Sequence, residues 1–145
     1  MNESLSNWIL FVLSRADELK STINKVKLQK ILFLMKEELG LDIPANFKPY
    51  KYGPYSIDID KALKELEKRG DIKINVLSNT NRKDEIDSEY KYEIKASKKY
   101  EIELPEGDLS YLDKLITMPT TELLAYVYIK FPQYTKRAIY LKKFS

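Results

Sequence analysis

The sequence contains no cysteine and no histidine. Without cysteine there are no disulfides, no thiolate nucleophiles and no cysteine metal sites, and the chain suits a reducing compartment. Without histidine the commonest general base and the commonest metal ligand are gone. Paired carboxylates remain for hydrolytic chemistry. Most acids here, however, sit beside Lys or Arg on predicted helix faces, where they act as solvated salt-bridge partners. The expectation is a non-catalytic protein with no cofactor and no metal. Glycine is scarce: four in 145 residues is too few for a flexible linker. No apolar run approaches the ~20 residues of a membrane span. The start, Met1-Asn2-Glu3, lacks the basic n-region of a secretory signal. A cytoplasmic protein with no membrane contact is therefore expected.

Hydrophobic residues make up 43% and charged residues 32% of the chain, the balance of a folded globular domain. The length fits one domain, 1–145. The net charge of +3 is modest for a dedicated non-specific DNA binder.

Leu5, Trp8, Ile9, Val12, Leu13, Ala16 and Leu19 recur at three- and four-residue steps and predict an amphipathic helix. Asn24 can cap a second helix, Lys25 to Leu39, which carries Leu28, Ile31, Leu32, Met35 and Leu39 on one stripe. Phe33 and Leu34 widen that stripe, and Gly40 ends the helix. Residues 41–55 read as a rigid aromatic connection punctuated by three prolines, with a turn at Gly53-Pro54. Ser56 then caps a third helix, Ile57 to Arg69, and Gly70 stops it.

The period next drops from 3.6 to 2. Ile72, Ile74 and Val76, then Tyr90, Tyr92, Ile94 and Ala96, alternate with polar residues on either side of a long polar tip, which is a hairpin pattern. Tyr100, Ile102 and Leu104 alternate as well and suggest an edge strand. Leu109, Leu112, Leu115 and Ile116 suit a short helix. Thr120 can cap another, Phe131-Pro132 interrupts it, and Thr135 can cap a last helix to about Phe144. The expected fold is mainly α with a β-hairpin (α+β): a winged helix-turn-helix-like domain. Residues 1–104 form its helical core plus wing, and 105–145 its additional C-terminal helices.

Four stretches can carry function, each beside a structural alternative. The third helix offers Lys61, Lys64 and Lys68 as the recognition element of a winged helix. Asp58 and Asp60 at its start repel phosphate, and Asp60/Lys64 and Lys61/Glu65 can pair along its surface. In the wing, Arg82 and Lys83 can touch a phosphate, or sit on a solvated tip among acids. In the aromatic segment, Lys48, Tyr50, Lys51, Tyr52 and Ser56 can contact nucleic acid or a partner, or pack the loop onto the core. At the C-terminus no acid follows Glu122, and Lys136 and Arg137 can hold DNA backbone or edge a dimer contact.

The run Lys27-Leu28-Gln29-Lys30-Ile31-Leu32-Phe33-Leu34, followed by Phe47-Lys48-Pro49-Tyr50-Lys51-Tyr52-Gly53-Pro54-Tyr55-Ser56, resembles the YwgA-like small proteins. More distantly it resembles the Panacea domain of SocA-type antitoxins. The resemblance spans roughly residues 5–75. It implies a winged-helix-related fold and a cytoplasmic life among phage, plasmid or toxin–antitoxin genes. For the Panacea group the implied role is to bind and neutralise a toxin or adapt it for proteolysis. No catalytic residue is carried over. Lys27, Gln29, Lys30, Tyr50, Tyr52, Gly53, Pro54 and Ser56 match as a fold signature or an interaction surface. Gly53-Pro54-Tyr55 stands where Gly-Pro-Val is common in Panacea proteins.

The leading expectation is a winged-helix regulator that binds double-stranded DNA as a possible homodimer. The alternative is a protein-interaction module of antitoxin or adaptor type, on the same scaffold, with a toxin or similar protein as partner. A continuous basic face favours DNA. A charge-balanced surface with an exposed tyrosine patch favours protein.

Overall fold

The computed structural model describes residues 2–76 and 92–135. Ser4 opens the first helix by accepting from the Asn7 backbone N–H at 3.1 Å, and α1 runs Leu5–Glu18. Asn24 does the same for Lys27 at 2.8 Å and starts α2, Lys25–Leu39, which Gly40 ends at φ +65°. A small hairpin follows, β1 Lys48–Tyr50 and β2 Gly53–Tyr55, then α3, Ile57–Arg69. A second hairpin comprises β3 Ile72–Val76 and β4 Tyr92–Ala96. Two further helices close the described chain, α4 Glu106–Thr117 and α5 Thr120–Lys130, with a 3-10 turn at Pro132–Tyr134. Among the described residues the protein is thus mainly helical, with two small antiparallel sheets, an α+β arrangement. No described helix is long and apolar enough to cross a membrane.

One core draws on every described helix from α1 to α5. Ile9, Leu13, Ile31, Leu32, Ile59, Leu66, Leu115, Leu124 and Val127 are all buried in it. α2 is its axis. The sequence predicts a stripe on this helix, yet every residue from Val26 to Met35 is buried, Lys27, Gln29 and Lys30 included. The reason is position: α5, α4 and β2 all pack around α2. Along Val26–Met35 the helix has no solvent face on which to place its polar residues; its last turn, with Glu37 exposed, does reach solvent.

Four local expectations are corrected. The turn falls on Lys51-Tyr52, not on Gly53-Pro54, which instead belong to β2 opposite Tyr50 and Pro49. Pro49 and Pro54 oppose each other, and neither has an N–H. They therefore occupy a pair that exchanges no ladder bonds, flanked by Lys48↔Tyr55 and Tyr50↔Gly53. Tyr100, Ile102 and Leu104 form no strand. They are half-buried coil packed against the core, and the Tyr100 N–H donates to Ser14 Oγ on α1 at 3.0 Å rather than to a ladder. Thr120 lies inside α5, whose cap position is Pro119. Ser56 occupies the cap position of α3, but its side chain does not cap. Tyr90 and the expected helix beyond Thr135 lie outside the described residues.

Candidate interaction surface

The polar residues buried on α2 aim at backbone. Gln29 Nε2 donates to Ser56 O at 2.9 Å, and Gln29 Oε1 accepts from Ser56 N at 2.8 Å. One side chain thereby satisfies both main-chain groups of a fully buried residue, as a neighbouring strand would. Lys30, only 2% exposed, donates to Pro54 O at 2.9 Å. Lys36 Nζ donates to Ala45 O at 2.6 Å. Lys27 reaches the other way, to Ile116 O at the end of α4, and burial pushes its pKa down to about 8. The Lys27, Gln29 and Lys30 motif is therefore a set of pins. It fastens the first hairpin and α4 to the central helix.

The same hairpin is fastened from its other side by α3. Asp58 Oδ2 accepts from Asn46 N at 2.9 Å and from Ser56 Oγ at 3.3 Å. The Tyr55 hydroxyl donates to Asp60 Oδ2, and Gln29 Nε2 lies 3.5 Å from Asp60 Oδ1. These acids favour the N-terminal end of the helix dipole as well. Their work here is local: they join the 46–56 segment to α3.

Between the hairpin and the first turn of α3 lies a groove of about 350 Å³, lined by Asn46, Lys48, Pro49, Tyr50, Tyr55, Ile57 and Asp58. The Tyr50 and Tyr55 rings lie with centroids 4.9 Å apart, tilted by 35° to each other. Tyr50 is 38% and Ile57 58% exposed, large apolar surfaces placed side by side. Just before β1, Phe47 packs edge-on to Phe33 with ring centroids 5.3 Å apart.

Of the residues singled out from sequence, Lys48 and Tyr50 come together in this groove. Lys51 and Tyr52 form the half-buried turn, and Tyr52 packs against the core. Ser56 is fully buried and belongs to the scaffold, not to an exposed surface. Lys61, Lys64 and Lys68 are exposed along α3. Arg82, Lys83, Lys136 and Arg137 lie outside the described residues. Sequence reasoning missed Ile57, Asn46, Pro49 and Asp58 as groove residues. Ile57 did carry a signal, since it falls off the Ile59, Leu63, Leu66 stripe that anchors the helix.

The charges on α3 are balanced. Along α3, Lys61, Lys64, Lys68 and Arg69 are matched by Asp58, Asp60, Glu65 and Glu67. Arg69 pairs with Asp71 at 3.0 Å. The expected Asp60/Lys64 and Lys61/Glu65 pairs do not form among the described residues; Asp60 is instead engaged by Tyr55 and Gln29. In the described part of the C-terminal stretch, Lys130 pairs with Glu38 at 3.3 Å and lies over the Tyr126 ring, and Glu38 raises its pKa. No group of three or more potential metal ligands occurs among the described residues. No family model matches the chain, and no curated protein matches it in sequence.

Proposed function

We propose that this chain is a non-catalytic protein-interaction module of antitoxin or adaptor type, built on a winged-helix-like scaffold. The groove between the first hairpin and α3 is its contact surface. Three features support the scaffold: three helices precede a hairpin, α3 leads directly into β3, and the connector between α1 and α2 bridges β4 through Ile23↔Ile94. The observation that carries the function is the hairpin fastened over the N-terminal end of α3. In a DNA-reading winged helix that end enters the major groove. Here it is occupied by Asn46, Tyr55 and the acids that hold them, and what it presents outward is Tyr50 beside Ile57. Aromatic and aliphatic side chains around a concavity are the anchors of protein interfaces. The resemblance to antitoxin domains points the same way.

The second reading, duplex DNA binding, is favoured by Lys61, Lys64 and Lys68, exposed along α3. One set of substitutions separates the two. A stoichiometric complex with a protein partner should be lost in Ile57→Asp and Tyr50→Ala and kept in Lys64→Glu with Lys68→Glu. Duplex binding that falls by about 0.9 log units per tenfold rise in salt for each phosphate contact, and that is lost only in the lysine variants, would replace the protein reading with the DNA reading.

A further inference from the structure

The hydrogen bonds around β4 settle which way each residue of β3 faces. Ile94 N–H donates to Ile23 O at 2.8 Å, away from β3. Ile74↔Ile94 is therefore a pair without ladder bonds, and Lys73↔Lys95 and Asn75↔Glu93 are the bonded pairs. Ser97 N–H donates to Asp71 O at 2.8 Å and continues the alternation. It follows that the backbone groups of Ile72, Ile74 and Val76 point away from β4, along the outer edge of β3. Among the described residues no backbone partner meets them there.

This edge has few of the devices that normally blunt one. β3 has no proline, and its register against β4 runs without a bulge from Ile72 to Val76. Its side chains fall on two faces: Ile72, Ile74 and Val76 on one, Lys73 and Asn75 on the other. Val76 is 60% exposed. By contrast, the far side of β4 is occupied at its centre by Ile23.

We propose that the outer edge of β3 pairs antiparallel with the same edge of a second copy of this chain, centred on Ile74. That register sets Ile74 against its own copy, Ile72 against Val76 and Lys73 against Asn75. The apolar stripe becomes continuous, and no like charges stand directly opposite. The outward N–H and C=O groups of all three edge residues find partners. Each copy uses its open edge once, so the assembly closes as a two-fold dimer instead of growing into a fibre. A strand edge alone buries less than the ~1,200 Å² of a standard stable interface, so the dimer is reversible and concentration-dependent. This pairing is independent of the groove and of the partner proposed for it.

Sedimentation velocity from micromolar to millimolar protein should show a monomer–dimer equilibrium. Hydrogen exchange at the high-concentration end should slow at the Ile72, Ile74 and Val76 amides. It should stay unchanged at Lys73 and Asn75, which already bond to β4. Val76→Pro removes an outward N–H without touching the ladder, and should weaken dimerisation about tenfold or more. Ile74→Lys and Ile74→Glu should each be monomeric, and mixing them should restore a dimer, because only pairing centred on residue 74 opposes the two charges. A chain that stays monomeric to millimolar concentration overturns the proposal, as does a dimer that Val76→Pro leaves intact. If the Ile74 variants fail to fold, Val76→Pro and the exchange pattern decide alone.

Discussion

The two hairpins share a topology and are held to the helical core by different means. The first, β1–β2, is fastened by polar atoms: Gln29 on the Ser56 backbone, Lys30 on Pro54 O, and Asp58 and Asp60 on the segment around it. The second, β3–β4, is fastened by burying Ile72 and Ile94 and by one backbone bridge at Ile23. A three-residue strand with a proline in each arm has little ladder of its own, so its position must be imposed by directed bonds. A five-residue strand with an apolar face can anchor itself by area. Directed bonds fix orientation, which non-directional burial does not, and that suits the hairpin that carries the groove.

The difference predicts opposite sensitivities to polarity and to volume. Gln29→Met keeps the side-chain bulk but leaves the buried Ser56 N–H unpaired, while Ser56 O keeps only its 3.3 Å bond from the Ile59 N–H, and should cost about 2–3 kcal/mol. Ile94→Val trims one methylene in the second hairpin and should cost about 0.5–1.5 kcal/mol. Urea unfolding of both variants measures this. Near-equal losses would mean that Gln29 acts by packing and that the contrast between the hairpins is wrong.

Lys27 extends the comparison to the other polar pin of α2. Burial lowers its pKa to about 8, against an ordinary 10.5. Between those values the unfolded chain binds more protons than the folded one, so this group makes stability rise with pH from about 8 to about 10.5 and leaves it lowest below 8. At ~1.4 kcal/mol per pH unit, discounted for partial screening, the swing is roughly 1–3 kcal/mol. The quantity to measure is the stability difference between wild type and Lys27→Met across that range. Wild type should gain on the variant as pH rises, and a flat difference would show that the Ile116 carbonyl keeps Lys27 charged at no cost.

Much of this frame was legible in the sequence. The spacing of Leu5 to Leu19 places α1, Asn24 and Gly40 mark the ends of α2, and the alternation around Ile74 and Ile94 gives the second hairpin. What was not legible is the use of polar residues inside. Periodicity assigns a lysine to solvent, because a long charged side chain is almost never buried without a partner, and the partners here are backbone carbonyls 24 and 89 residues away. Asp58 and Asp60 likewise read as repulsive to phosphate when their targets, Asn46 and Tyr55, lie in a segment whose own strands the prolines concealed. The pairing of Pro49 with Pro54 cannot be read from either residue alone.

Two glycines, one inside the first hairpin and one at the end of α3 just before the second, sharpen the contrast further. Gly53 in β2 and Gly70 before β3 both have positive φ, +91° and +80°. Adding a Cβ at Gly70 meets nothing within 4 Å, whereas at Gly53 it would lie 2.8 Å from Tyr128 Cε1. Gly70→Ala should therefore cost only the backbone strain, about 1 kcal/mol. Gly53→Ala adds a displacement of the buried Tyr128 ring and should cost about 1–3 kcal/mol in all. Thermal melts of the two variants check the order. Equal losses would mean that Tyr128 yields freely and that the first hairpin is less tightly seated than its bonds imply.

The smallest expected effect concerns the residues that open α2 and α3. Both helices start after a residue that sequence rules favour as a cap, Asn24 and Ser56. Asn24 accepts from Lys27 N at 2.8 Å, so Asn24→Ala should lose about 1 kcal/mol. Ser56 makes no such bond; its hydroxyl contacts Asp58 at 3.3 Å, and its backbone is held by Gln29. The start of α3 is held instead by the Gln29 clamp on the Ser56 backbone, with Asp58 and Asp60 near the dipole's positive end. Ser56→Ala should then cost about 0.5 kcal/mol, the low end for a hydrogen bond, because only the long contact to Asp58 is lost. Combined with Gln29→Met, the same change should stay small if the clamp acts only on the backbone, which neither residue's side chain at 56 alters. A double-mutant cycle on Gln29 and Ser56 reads this directly: a coupling near zero supports backbone clamping, and a coupling above about 1 kcal/mol would mean that the serine hydroxyl takes part in holding the first hairpin.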